Sequence, residues 1–266
     1  MRERIRFPLR SVLAVGGLAA VVACAEPAPQ RESVPIVAPT ALLDAPDQTF
    51  SRGGITINYR SIGSGEPVLL IHGYGDNLKM WAGLGDSLAA AHRVIAVDTR
   101  GFGRSSKPAG VEYYGRTMVE DLIALLDTTG ATQVHVVGYS MGALLAASLA
   151  LSHPERVRTV TLAAGGFLDP AAMRDFVRPW IDDLEHGRRL TNILKQVVPV
   201  LADSQARSFS DLIFAESDSA APVDVLKSFP EISVDWARVA ATKIPAVAIV
   251  GADDPLRQYS RDVAAR

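Results

Sequence analysis

The 266-residue chain has one cysteine, Cys24, so no disulfide can form within it and its stability must come from a packed core. It has no excess of basic residues either. Its 27 Lys and Arg stand against 29 Asp and Glu, and no basic cluster lies beyond the first ten residues, so no phosphate-neutralising face is expected and nucleic acid is excluded as a partner. Metal-ligand clusters, a nicotinamide fingerprint and a flavin motif are lacking, so neither cofactor nor metal is expected. Gly101-Phe102-Gly103 is too short for a nucleotide loop, having no third glycine before a helix. Repeats and low-complexity tracts long enough to dominate the chain are missing too. What is present in quantity is apolar material: 48% hydrophobic against 21% charged residues is enough for one large core and one globular domain with appendages.

The first appendage is the N-terminus. Arg2, Arg4, Arg6 and Arg10 precede an apolar stretch from Ser11 to Ala23 that is short for a bilayer span, the pattern of a secretory signal over residues 1–23. Its end, Val21-Val22-Ala23-Cys24, resembles the lipobox of bacterial lipoproteins, which implies cleavage before Cys24 and lipidation of that residue. An ordinary signal peptide with an incidental cysteine is the alternative, since small residues precede both kinds of cut. The expected location is outside the cytoplasm, on the periplasmic or extracellular side of a bacterial envelope, with membrane contact only through the lipid on Cys24. Residues 24–47, rich in Pro and Ala, suit an extended tether, and the folded body is expected over 48–266.

Within the body, short apolar runs recur at Val68–Ile71, Val94–Val97, Val134–Val137, Val157–Leu162 and Ala246–Val250. Their continuous rather than alternating hydrophobicity predicts parallel strands covered on both faces. Leu78, Trp81 and Leu84, then Val119, Leu122, Ile123 and Leu126, keep helical spacing in the gaps, so the order is that of a mostly parallel, doubly wound α/β sheet. Ile55 to Tyr59 alternates and reads as an antiparallel edge strand. More than eighty residues separate Leu162 from Ala246, too many for a simple crossover. Phe176, Val177, Trp180, Ile181 and Leu184 are helically spaced there, as are Ile193, Val197 and Leu201, so a helical cap is expected over about 166–236.

Gly138-Tyr139-Ser140-Met141-Gly142 is a G-x-S-x-G run between a strand and an apolar helix, the setting in which that pattern makes a nucleophile elbow. The glycines are needed because the turn is sharp and its neighbours are close. Ser140 is the candidate nucleophile, and the Met141 N–H, at the helix N-terminus, is a candidate oxyanion donor. The loop after the first buried strand, His72-Gly73-Tyr74-Gly75, offers the Tyr74 N–H as the second donor, with His72 read as structural.

Together with Asp98-Thr-Arg-Gly-Phe-Gly-Arg-Ser105, His153-Pro-Glu-Arg-Val157 and Gly251-Ala-Asp-Asp254-Pro, these segments resemble the α/β-hydrolase superfamily in its usual order, over residues 50–266. The resemblance implies the α/β-hydrolase fold with a helical cap insertion, and it maps the acid of a catalytic triad onto Asp254. It also implies that Asp98, Arg100 and Ser105 are structural. Serine at position 140 is at odds with the dehalogenases and epoxide hydrolases of this architecture, which use aspartate there. The expected activity is hydrolysis of an ester or related acyl bond in a small-molecule substrate through an acyl-enzyme.

The family places its histidine some twenty to thirty residues after the acid, whereas His72, His92, His135, His153 and His186 all precede Asp254. The expectation is that the last strand, its histidine loop and the closing helix lie beyond Arg266. Other readings stay open: an amidase, lactonase, peptidase or C–C hydrolase of the same fold, or a hydrolase-like binding protein without activity. A lipase acting on lipid beside its anchor would use Phe176, Trp180 and Phe214. Oligomeric state is not legible.

Overall fold

The computed structural model describes residues 41–166, 168–197, 201–214, 221–234, 238, 241–252 and 257. Among them a seven-stranded sheet runs in the order β1-β2-β4-β3-β5-β6-β7. Its strands are β1 (Gln48–Arg52), β2 (Ile55–Ile62), β3 (Glu66–Ile71), β4 (His92–Val97), β5 (Val134–Tyr139), β6 (Val157–Ala163) and β7 (Ala246–Ile249). β3 to β7 are mutually parallel, while β1 and β2 form an antiparallel hairpin laid against β4. Ile55 to Tyr59 is therefore not at the edge, since β1 covers it. With one large apolar residue in Gln-Thr-Phe-Ser-Arg, β1 carries no hydrophobic period to announce itself.

The buried strands bury both faces. Val68 and Leu70 of β3 join Val94 and Ala96 of β4 in one cluster with Leu42, Leu78 and Trp81. Leu69 and Ile71, one residue out of phase, join Ile95, Val97 and the helices α3 (Arg116–Thr128) and α4 (Met141–Ser152) on the other face. α4 is buried almost all round, which is why its sequence, Met-Gly-Ala-Leu-Leu-Ala-Ala-Ser-Leu-Ala-Leu-Ser, shows no polar stripe. Residues 41–47, within the stretch expected to be a tether, lie against the body: α1 (Ala41–Asp44) buries Leu42 completely, and the Leu42 N–H donates to Asp86 Oδ1 at 2.8 Å. Arg60 holds the same segment, with Nε 2.7 Å from Asp47 Oδ1 and Nη1 3.0 Å from the Leu42 carbonyl.

Chain direction reverses between β3 and β5. The chain passes outward from β3 through α2 (Ala82–Ala89) to β4, then crosses back over the sheet through α3 to β5. Loops leaving the carboxyl ends of β3 and β5 thus diverge to opposite faces and open a crevice, the usual ligand position in such sheets. Among the described residues, the stretch between β6 and β7 includes the helices α5 (Pro170–Glu185), α6 (Thr191–Val197), α7 (Asp203–Ile213) and α8 (Ala221–Ile232). Leu201 lies beyond α6. Asp169 caps α5, accepting from the N–H groups of Ala171 and Ala172, and Pro170 occupies its first turn. Among the described residues no helix is long and apolar enough to cross a membrane.

Candidate active site

Ser140 sits on the turn between β5 and α4 with φ 51° and ψ −111°, a left-handed conformation that an L-residue adopts only under constraint. The constraint is visible. The Ser140 N–H donates to the Ala163 carbonyl of β6 at 2.8 Å, and its own carbonyl accepts from the N–H groups of Ala143 and Leu144. Glycines make the turn possible: a Cβ on Gly138 would lie 2.1 Å from the Gly142 carbonyl oxygen, and one on Gly142 would lie 2.1 Å from that of Ile71. The Met141 N–H precedes the first intrahelical bonds and so stands at the open, electropositive end of α4.

The loop after β3 comes up beside it. A Cβ on Gly73 would lie 3.5 Å from Ser140 Cβ, so this backbone passes directly over the serine. Its orientation is fixed by His72. The backbone N–H of Thr99 donates to His72 Nε2 at 2.9 Å, and because a backbone N–H can only donate, the ring proton resides on Nδ1. Nδ1–H then donates to the Gly73 carbonyl at 2.7 Å, and the Asp76 N–H donates to the same oxygen at 3.2 Å. In a trans peptide the C=O and the following N–H point opposite ways, so pinning the Gly73 carbonyl toward His72 turns the Tyr74 N–H away from it. His72 is completely buried, and burial lowers its pKa, which keeps the ring neutral.

Beneath the loop, Asp98 accepts from Asn58 Nδ2 at 2.9 Å and from the N–H groups of Leu78 and Arg104 at 2.8 Å each. Ser105 Oγ donates to the Asp98 carbonyl at 2.5 Å. Arg100 grips Asp121 through two bonds of 2.7 and 2.8 Å; burial raises the pKa of that carboxyl, and the guanidinium partly opposes the rise. These residues brace loops and face no cavity beside Ser140.

Tyr74, Ser140 and Met141 line one pocket with Leu144, Leu168, Met173, Phe176, Trp180, Phe229 and the backbone of residues 164–166. It has a cavity volume of about 50 Å³ and opens toward solvent, and none of the described residues lining it is charged. Tyr74 is its hub: its ring meets Phe102, Trp180, Phe214 and Phe229 edge-on at 5.4 to 6.1 Å, and burial pushes its phenol pKa well up. Phe214 is buried and Phe176 and Trp180 are half-buried against this cluster, so these aromatics are turned inward. A larger groove bounded by Arg116, Glu120, Ser148, Pro230 and Arg238 shares no lining residue with the pocket.

Thus the structure brings three sequence candidates together, Tyr74, Ser140 and Met141. Asp254 and Cys24 lie outside the described residues. None of the five histidines hydrogen-bonds Ser140. His135 bonds Thr159 inside the sheet, His92 stacks edgewise on it, and His153 and His186 close α4 and α5. The cap residues Leu168, Met173 and Phe229 and the backbone of Gly165, where a Cβ would meet the Ser140 carbonyl oxygen at 2.6 Å, were not legible as site residues. Only Gly165-Gly166, directly after a strand, hinted at a close approach.

Known proteins share this fold. A family model described as the alpha/beta hydrolase fold matches residues 66–212. A fluoroacetate dehalogenase from Burkholderia sp. is 39% identical over 114 residues, 41% of this chain and 38% of that protein. A pimeloyl-[acyl-carrier protein] methyl ester esterase from Aeromonas hydrophila is 37% identical over 110 residues, 41% of this chain and 42% of the esterase. The matched segment therefore spans about two fifths of the length of these curated relatives. Among solved structures, a hydrolase from Pseudomonas aeruginosa PA01 superposes with a TM-score of 0.65 at 24% identity, over 82% of this chain and 86% of that one, a likeness of fold.

Proposed function

The chain belongs to the α/β-hydrolase fold family, and on that footing we propose that it is a serine hydrolase acting on an ester or related acyl bond of a small, uncharged organic substrate. The observation that carries the reading is the juxtaposition of Ser140, in its constrained turn, with the Met141 N–H at a helix terminus and the Tyr74 N–H on a braced loop, all on one apolar pocket.

In this reading Ser140 Oγ adds to the acyl carbon as its proton passes to a general base oriented by Asp254, and the carbonyl oxygen, now negative, accepts from the N–H groups of Met141 and Tyr74. The base returns that proton to the departing alcohol, leaving an acyl-serine. Water adds to the same carbon as the base takes its proton, and the acid leaves as the base reprotonates Ser140 Oγ. Each oxyanion donor is worth about 3 to 4 kcal/mol in such a site. Asp254 is assigned as the acid that orients the base, and no histidine among the five is assigned as that base, since none is bonded to Ser140.

Serine also separates this chemistry from that named for the dehalogenase relative. Displacement at an alkyl carbon by a serine oxygen gives an ether, which water cannot open by acyl addition, whereas an acyl-serine is an ester that water cleaves. The resemblance to a methyl ester esterase supports the acyl reading. As to location, the proposal keeps export and attachment to the envelope through a lipid on Cys24.

A fluorophosphonate probe tests the assignment. Ser140 should be the phosphonylated residue by peptide mass, and Ser140→Ala should abolish labelling. A folded protein that resists the probe, or labels equally well as Ser140→Ala, would overturn it.

A further inference from the structure

The cavity beside Ser140 is small, with a volume of about 50 Å³. An engineered apolar cavity of about 150 Å³ holds one benzene ring, so by proportion this one holds about two or three carbon atoms. Its walls leave little play. Leu144 of α4, Leu168, Met173 of α5 and Phe229 of α8 line it, and all four are buried. Asp169 caps α5 beside Met173, whose N–H donates to the Asp169 carbonyl at 2.8 Å. α8 is tied to the loop above Ser140 twice, by the Tyr74 hydroxyl bond to the Pro222 carbonyl and by Phe229, edge-on to the Tyr74 ring at 6.0 Å.

Which half of an ester lies there follows from the chemistry. The alcohol must leave and water must replace it at the same carbon, which calls for the side of the cavity that opens toward solvent. The acyl chain stays bonded to the serine through both steps and needs no exit. Resting on the hydrolase reading above, we infer that this cavity is an acyl pocket for chains of about two to three carbons, with Met173 as the residue that sets the limit. The substrate class is an acetate or propionate ester whose alcohol part lies at the mouth. Among the described lining side chains Met173 is the one long, unbranched aliphatic wall. Tyr74, Phe176, Trp180 and Phe229 hold one another as aromatic pairs, and Leu144 lies on the helix that carries the elbow. Truncating Met173 to alanine removes its side chain beyond Cβ and leaves both of those units intact.

4-Nitrophenyl acetate and 4-nitrophenyl hexanoate test the limit, because they share a leaving group and each acylation of Ser140 releases one nitrophenolate. Release by Ser140→Ala is subtracted as background. A methylene without room lowers the rate about tenfold or more, so the acetate should acylate the wild-type protein at least about 100-fold faster than the hexanoate. Met173→Ala should narrow that ratio to less than about tenfold, chiefly by speeding the hexanoate. Equal rates on the two esters in the wild type, Ser140-dependent release from neither, or an unchanged ratio in Met173→Ala would each overturn the inference. If Met173→Ala does not fold, Met173→Val takes its place, since it shortens the wall with less loss of packing, and the ratio should narrow in the same direction. The fluorophosphonate probe keeps the two readings apart. Labelling of Ser140 together with equal ester rates would overturn the acyl-length inference alone, whereas failure to label would overturn the hydrolase reading and this inference with it.

Discussion

The phenol of Tyr74 donates a hydrogen bond of 2.9 Å to the main-chain carbonyl of Pro222, tying the loop above Ser140 to the first turn of α8 in the cap. One residue thus serves two layers. Its backbone lies in the loop braced by His72, while its side chain joins the cap aromatics Trp180, Phe214 and Phe229.

Tyr74→Phe should therefore lower stability by about 1 kcal/mol, because it removes the phenol's bond to the Pro222 carbonyl while keeping the ring contacts. Tyr74→Ala should cost about 3 to 5 kcal/mol, since the hub of the aromatic cluster is lost. Urea unfolding of the two variants checks the order, and equal losses would mean that the ring contacts contribute little beyond the hydroxyl bond.

Gly142→Ala should fail to give a native protein, or should destabilise it by about 3 kcal/mol or more, because its Cβ meets the backbone oxygen of Ile71 at 2.1 Å and a strand cannot give way as a side chain can. By contrast Ser140→Gly should be neutral or stabilising by up to about 1 kcal/mol, since glycine tolerates φ 51°. Thermal melts of both variants read the contrast, and a tolerated Gly142→Ala would count against the close packing of the elbow.

His72 gives a pH dependence whose sign follows from its burial. Burial lowers its pKa below 6.5 in the folded protein, and unfolding restores the ordinary value. Below about pH 6.5 the unfolded chain takes up a proton that the folded one resists, so stability falls as pH falls, with a slope approaching about 1.4 kcal/mol per pH unit from this group. His72→Asn lacks the titration. The stability difference between wild type and variant should therefore shrink from pH 7.5 to pH 5, as denaturant unfolding at each pH would reveal, and a constant difference would remove His72 as the cause.

For Cys24, replacement by Ser should move the protein from the membrane to the soluble fraction of the expressing bacterium, because the several acyl chains of a lipoprotein cysteine anchor firmly where one chain holds marginally. Unchanged partition on fractionation would refute the lipid anchor.

The parallel strands were legible because a strand covered on both faces must be apolar at every position, and Val68–Ile71 and Val94–Val97 are. The elbow was legible because its constraint is local: two glycines and a serine between a strand and a helix define the turn without reference to the rest of the chain. Sequence did not disclose β1, whose pairing with β2 replaces a hydrophobic period, nor the packing of residues 41–47, which depends on Asp86 and Arg60 far along the chain. His72 was read as structural from its place beside the loop, yet its tautomer and its grip on the Gly73 carbonyl depend on Thr99, twenty-seven residues away.

Sequence by itself determined the α/β order of elements, the strained serine turn and the loop that faces it, because each is fixed by local periodicity or by backbone sterics. Only the tertiary structure decided that Tyr74 joins that loop to the cap and that Phe176, Trp180 and Phe214 turn inward. The cap helices carry apolar stripes that fit many partners equally well. The surface they cover is chosen by side-chain packing between segments distant in sequence, and no local pattern encodes that choice.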